Sequence, residues 1–275
     1  MSTTDQAKVQ HRVPGVVPRS LRMRLFSWHP GRARRWRRHP GIQRVERQSA
    51  VLTFDDGPAL DATPSVLSAL AASEVKATFF VLGSEVQHEP ELTRQIIEAG
   101  HEIALHGFQH RRQDQLSDAD AQADIVTGFR IVEEVTGRQP RWYRPPFGRM
   151  SEAGMHTCQE MGLRVAYWSS WGLDWEDVSH EDIAAQVRSG LSGGSVVLLH
   201  DTARHGRRES AEPTARAIES IVNFGLQQGL AWRTLTDADN AQTDANSRPS
   251  TPSRDAGLLP RGTPDANAGP KTSLG

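Results

Sequence analysis

Residues 51–58 read Val-Leu-Thr-Phe-Asp-Asp-Gly-Pro. An apolar, β-branched run stops at two adjacent carboxylates and a Gly-Pro turn, as a buried strand does when it delivers charge to a surface or cleft. Side chains alternate across a strand, so Asp55 and Asp56 face opposite ways. One can hold a metal while the other takes a proton. Taken alone, Asp-Asp-Gly-Pro better suits an ordinary polar strand end, because Asp favours turns. Four later stretches tip the balance: residues 106–110, residues 144–148, Asp174-Trp175 and His200-Asp201.

Outward from this strand, the chain alternates strand with helix. Thr63-Pro64 opens a helix to residue 72, and residues 76–82 form the next strand. A helix over 90–99 runs from Pro90 to a stop at Gly100, and strand 102–105 leads straight into His106. Ser117 caps a helix over 117–135 that Gly137 ends. Strand 142–143, helix 151–161, strand 164–168, helix 179–189, strand 195–199, helix 212–228 and strand 230–235 complete the series. Such alternation implies a parallel sheet with helices outside. Every polar cluster falls just after a strand, at the rim where barrels assemble their catalytic groups. No glycine-rich phosphate loop follows the first strand. The α/β fold expected is therefore an irregular (β/α)7 barrel rather than an open sheet.

The 275 residues, 37% hydrophobic and 24% charged, suffice for one domain of about 200 residues with tails. The expected division is a basic N-terminal arm over 1–48, the catalytic domain over 49–238 and a disordered tail over 239–275, rich in Pro, Ser, Thr, Asn, Ala and Gly. In the arm, Arg32, Arg34, Arg35, Arg37 and Arg38 surround Trp36, which suits peripheral contact with an anionic envelope surface. The spacing matches no nucleic-acid motif, and the net charge of -1 argues against general polyanion binding. The single Cys158 excludes an internal disulfide and a cysteine zinc cluster, and reads as a buried thiol in a helix. No apolar run reaches the roughly 18 residues of a spanning helix, and residues 1–25 show no secretory signal pattern. A cytoplasmic location is the expectation.

His106 and His110 stand four apart, close enough on a turn or tight loop to reach one ion. With a strand-end carboxylate they form a two-histidine, one-carboxylate set that leaves positions open for water and substrate. The expected cofactor is a divalent metal, zinc first and cobalt as the alternative. Arg144 opens a rigid Pro-Pro turn and can orient a carboxylate. The prolines lack an N–H, which leaves Phe147 as the backbone donor for a developing oxyanion. His200 ends a very apolar strand and is a candidate general acid, with Asp174 able to orient it. Trp168, Trp171 and Trp175 crowd one segment, where packing and sugar stacking compete. His88, His101, His156, His180 and His205 read as surface or packing residues. No Gly-x-Ser-x-Gly or Cys/His pattern supports an acyl-enzyme.

In this order, the stretches resemble the polysaccharide deacetylases of carbohydrate esterase family four, the NodB homology domain, over roughly residues 50–237. Residues 53–58, Thr-Phe-Asp-Asp-Gly-Pro, match the family's first motif. The resemblance implies a NodB-type irregular barrel and hydrolysis of N-acetyl groups on chitooligosaccharide or peptidoglycan-type glycans. It makes Asp55 the base and Asp56, His106 and His110 the metal ligands. Arg144 would orient Asp55, Phe147 would serve the oxyanion hole, and Asp174 would tune His200, the acid. Leu198 and Trp175 would line the acetyl pocket. Two positions depart from the family. Gly107 stands where a Ser or Thr hydroxyl often steadies the metal-site loop, and Trp171 stands where many members carry an Asp. Two other readings remain: a non-catalytic glycan or envelope binder on this scaffold, and a hydrolase of a small amide or cyclic imide.

Overall fold

The computed structural model describes residues 39–247. The arginine cluster of the expected arm and most of the expected tail lie outside the described residues. Strand β1 (Ser49–Asp55) is central and buried along its whole length. It is followed by α1 (Thr63–Ala72), β2 (Thr78–Val81), α2 (Gly83–His88), α3 (Pro90–Glu98), β3 (Glu102–Leu105), α4 (Asp118–Thr136), β4 (Trp142–Tyr143) and α5 (Glu152–Glu160). Then come β5 (Arg164–Val165), β6 (Ser170–Trp171), α6 (His180–Gly190), β7 (Val196–His200), α7 (Glu212–Gln227), β8 (Ala231–Trp232) and α8 (Leu235–Ser247). The strands pair in parallel in the order β5-β4-β3-β2-β1-β7-β6, and β8 joins β1 alone. This is the irregular (β/α)7 barrel the alternation implied.

Period-two patterning sorts each strand between two cores. Leu52 and Phe54 of β1 pack outward with Phe79, Val197, Leu199 and the helices. Val51 packs with Phe80, Ala104, Trp142, Ala166 and Val196 in a separate cluster. Thr53 and Asp55 share the face of Val51, and His200 shares that of Val196 and Leu198, so the barrel lumen runs from an apolar floor to a polar mouth. No helix among the described residues is long and apolar enough to cross a membrane.

Three elements differ from expectation. The strand expected over 164–168 is split into β5 and β6, because the chain leaves β4 and crosses to β7 there. Ile42 bridges Ala166 and Arg44 bridges Ser195 at this seam, so part of the expected arm belongs to the barrel wall. The single-turn α2, six residues opened by a glycine, carries too little periodicity to be read from sequence. Helix α8 runs through residues expected in the disordered tail. Leu235 and Ala238 anchor it in the barrel floor, and Asp239 meets Arg164 and Arg141.

Candidate active site

Register brings the catalytic candidates together. Asp55 is the Cα partner of Phe80 on β2 and of His200 on β7. Arg144, at the end of β4, is fully buried in the lumen. Its Nη1 donates to Asp55 at 2.6 Å and to Thr53 Oγ1 at 2.7 Å, and its Nη2 donates to the Tyr167 carbonyl at 3.0 Å. The guanidinium also lies 3.9 Å from the centre of the Phe80 ring, a desolvated cation–π contact. Burial pulls the Arg144 pKa down and Asp55 pushes it back. These contacts fix the guanidinium, and through it the Asp55 carboxylate.

Asp56 turns the other way, with φ 80°, in the left-handed region that non-glycine residues seldom occupy. That backbone aims its carboxylate at two imidazoles. Oδ1 lies 3.3 Å from Nε2 of both His106 and His110. The three residues place their donor atoms within 4.8 Å of one another. His106 Nδ1 is 2.7 Å from the Arg144 carbonyl. A carbonyl can only accept, so Nδ1 carries the proton and Nε2 presents a lone pair to Asp56. Burial pulls His110 down to about 3, with Asp56 opposing and His106, His205 and His200 adding to the fall. Burial works against ionisation of Asp56. The adjoining imidazoles, His106 first and then His200 and His110, outweigh it and hold the carboxylate well below its usual range.

These residues fit a divalent metal. Asp56 Oδ1 is buried and has no hydrogen-bond partner, yet it faces the Nε2 atoms of two imidazoles at 3.3 Å, an arrangement that a cation between them completes. Ligands about 2.0–2.1 Å from one ion at the tetrahedral angle stand about 3.3 Å apart, which is the separation found. Two nitrogens and one oxygen suit zinc.

On the other side of the mouth, Asp174 is fully buried and meets His200 twice. Its Oδ1 accepts from Nδ1 at 2.9 Å and its Oδ2 from the backbone N–H at 2.8 Å. Thr214 donates to Oδ2 at 2.8 Å, and Arg208 stands 3.7 Å away. Burial lowers the His200 pKa, but Asp174, by charge and hydrogen bond, with Asp56 and Asp55, raises it to about 9. Leu173, just before Asp174, has φ 55°, so backbone strain again accompanies a site residue.

Phe147 has φ 59° and is 56% exposed as a residue, with its ring 4.4 Å from that of His110. The turn closes through Gly148 and Arg149 N–H groups onto Pro145 and Pro146. The Trp175 ring meets His200 edge-on at 5.7 Å. Leu198 lies on β7 opposite Thr53 and Trp171. All ten expected site residues therefore gather at one end of the barrel. Trp168 packs inside, against Arg144, and Cys158 is buried, its thiol pushed up to about 12 by burial.

Sequence reasoning missed several neighbours. His205, read as a surface or packing residue, packs at the site itself, stacked on His110 at 4.3 Å. Asp201, on the far side of β7 from His200, accepts from Gly57 N–H and Thr63 Oγ1 and so braces the turn after Asp56. Burial, with the charge of Asp56, raises its pKa to about 7 against those hydrogen bonds. Arg208 and Thr214 have no spacing signal. Asp124 had one: it falls on the apolar row Ala121, Ile125 and Gly128 of α4.

Comparison with known proteins bears on this geometry. The family model for polysaccharide deacetylases matches residues 43–166. A chitooligosaccharide deacetylase from Bradyrhizobium sp. is 32% identical over 190 residues, 66% of this chain and 87% of that protein. The chain belongs to the polysaccharide deacetylase family. A longer relative in Listeria monocytogenes, a peptidoglycan-N-acetylglucosamine deacetylase, is 36% identical over 186 residues, which span 68% of this chain and 38% of that one. Among solved structures, the peptidoglycan deacetylase PdaC from Bacillus subtilis aligns with a TM-score of 0.64 at 30% identity, over 73% of this chain and 94% of that one. The deacetylase model begins at residue 43, beside the Ile42 bridge that closes the seam. It ends before Asp174 and His200, whose pairing rests on the geometry above.

Proposed function

We propose that the chain is a metal-dependent N-deacetylase of N-acetylglucosamine-containing glycans of chitooligosaccharide or peptidoglycan type, releasing acetate. The observation that carries this reading is Asp56 Oδ1 facing both histidine Nε2 atoms at 3.3 Å, with Asp55 alongside. Asp56, His106 and His110 would hold the ion, with zinc favoured by the donor set. Bound there, a divalent ion polarises an amide carbonyl and brings the pKa of water toward about 7.

The protein groups supply the rest. Asp55, oriented by Arg144, takes the proton of the attacking water. The Phe147 N–H is the first backbone donor after two prolines and meets the oxyanion of the tetrahedral carbon. His200, kept protonated by Asp174, delivers its proton to the amine nitrogen, which cannot leave as an anion. Trp175 and Leu198 enclose the acetyl methyl. Water and amide become acetate and a free amino sugar.

Acetate release from chitooligosaccharides and from peptidoglycan fragments, before and after chelation and with zinc or cobalt restored, tests this. Turnover that survives complete metal stripping would overturn it. Asp55→Asn is expected to keep its zinc and lose about 10²–10⁴-fold in kcat. Undiminished turnover in that variant would remove Asp55 as the base.

A further inference from the structure

The two imidazole arms of the site are secured differently. His106 continues β3, its N–H donating to Val81 at 2.8 Å and its ring tied to Arg144. His110 lies beyond the strand, on a segment that is neither helix nor strand. Stacking on Phe147 and His205 restrains its ring, and the intervening backbone sets where that ring stands.

That backbone is held from below. The Asp124 carboxylate, at the side-chain level fully buried, accepts the Phe108 N–H at 3.2 Å on Oδ2 and the Gln109 N–H at 3.1 Å on Oδ1. These are two of the peptide N–H groups that separate the histidines. Gln113 Nε2 donates to Oδ2 at 3.3 Å, and Arg111 stands 3.7 Å from Oδ1. Gly107 has φ 95°, and a Cβ there would lie 2.5 Å from Asp124 Oδ2. The same loop presses on two other glycines. Gly83 N–H donates to the Gly107 carbonyl at 2.8 Å, and a Cβ on Gly128 would lie 2.8 Å from the Gly107 carbonyl carbon. The loop thus has no room for a side chain at 107, and a carboxylate from α4 fills the space.

We propose that Asp124 is the positioning residue for the His110 arm of the metal site, bracing from the helix side a loop that lacks a hydroxyl at position 107. Gly107 and Asp124 then form one unit: the glycine opens the space, and the carboxylate uses it to pin two peptide groups. Groups that fix the orientation of a metal ligand support metal affinity by about 10–100-fold, and Asp124 does so here through the peptide groups leading to His110. The inference rests on the metal reading of the site given above.

Zinc affinity measured by chelator competition, together with the visible spectrum of the cobalt-loaded full chain, tests it. Wild type is measured first. Absence of zinc binding there would remove the metal reading itself, whereas normal wild-type binding with unaltered variants would remove only the role of Asp124. Asp124→Asn sets an amide NH₂ against one of the two peptide donors. It is expected to weaken zinc binding about 10–100-fold and shift the cobalt bands. In a His110→Ala background the same change is expected to add nothing, because Asp124 acts through that ligand. Gly107→Ala should lose at least tenfold in affinity, and Asp124→Ala on top of it should deepen the loss little. Wild-type affinity in Asp124→Asn, or its full effect persisting without His110, overturns the proposal. If Asp124→Asn does not fold, Gly107→Ala decides: wild-type zinc affinity there overturns the proposal, and a loss that Asp124→Ala does not deepen supports it.

Discussion

Burial at the barrel mouth disfavours a charged imidazole, yet His200 titrates near 9 because the Asp174 carboxylate contacts both its ring and its backbone. The sign of the resulting pH dependence follows. His200 acts while protonated, so activity is retained below its pKa and lost as pH rises through about 9. Asp174→Asn removes the charge and leaves burial, so the alkaline limb of kcat/KM should move down toward or below the ordinary histidine value of about 6.5. At neutral pH, kcat should fall by about tenfold or more. A pH–rate profile checks this, and an unmoved alkaline limb would show that another group is the acid. Residues that end strands announced themselves in this way, since a charge closing an apolar run has few structural reasons to be there. His205 and Arg208 gave no such sign. Both sit in the loop between β7 and α7, where side chains meet the site through chain folding that no local period encodes. Asp124 was the intermediate case: a carboxylate on an apolar helical row is visible in sequence, but its partners are not.

Helix α4 shows two local preferences in conflict. Gly128 lies in its interior, where alanine would ordinarily stabilise by about 1 kcal/mol through helix propensity. A Cβ there would stand 2.8 Å from the Gly107 carbonyl carbon and 2.9 Å from its oxygen. Those are backbone atoms of the metal-site loop and cannot swing aside like a flexible side chain. Overpacking of this kind costs about 1–3 kcal/mol, so it should outweigh the propensity gain. Gly128→Ala is expected to lower stability and zinc affinity together, read by chemical denaturation and chelator competition. A stabilised variant with unchanged zinc affinity would mean that the loop and helix are not in hard contact. Element type was legible wherever an amphipathic or alternating run had length, as in β1, β3 and α7. It failed where elements were short or fixed from outside. The β5–β6 split is dictated by sheet pairing rather than by residues 164–168, and α8 is anchored by Leu235 and Ala238 rather than by its own periodicity.

For the molecule as a whole, closure of the barrel depends on the segment before β1. The sheet path ends at β5 on one side and β6 on the other, and these edges would expose unpaired backbone groups. Ile42 covers the β5 side: its N–H donates to Val165 at 2.9 Å, and its carbonyl accepts from Tyr167 at 2.7 Å. Tyr167 also receives Arg144 on its own carbonyl, which links the seam to the lumen and to Asp55. The boundary at residue 48 was placed by composition, and the arginine-rich stretch masked an ordinary bridging residue beyond it. Ile42→Pro removes the N–H and leaves the Val165 carbonyl without its donor, at a cost of about 1–3 kcal/mol. For a domain of this size that corresponds to a fall in Tm of about 2–12 °C. Ile42→Val, which keeps the donor and trims a methylene, should cost about 1 kcal/mol or less. Thermal melts of the two variants against wild type make the comparison. If the proline variant melts with wild type, residues 42–45 merely rest on the barrel and the edge of β5 is satisfied some other way.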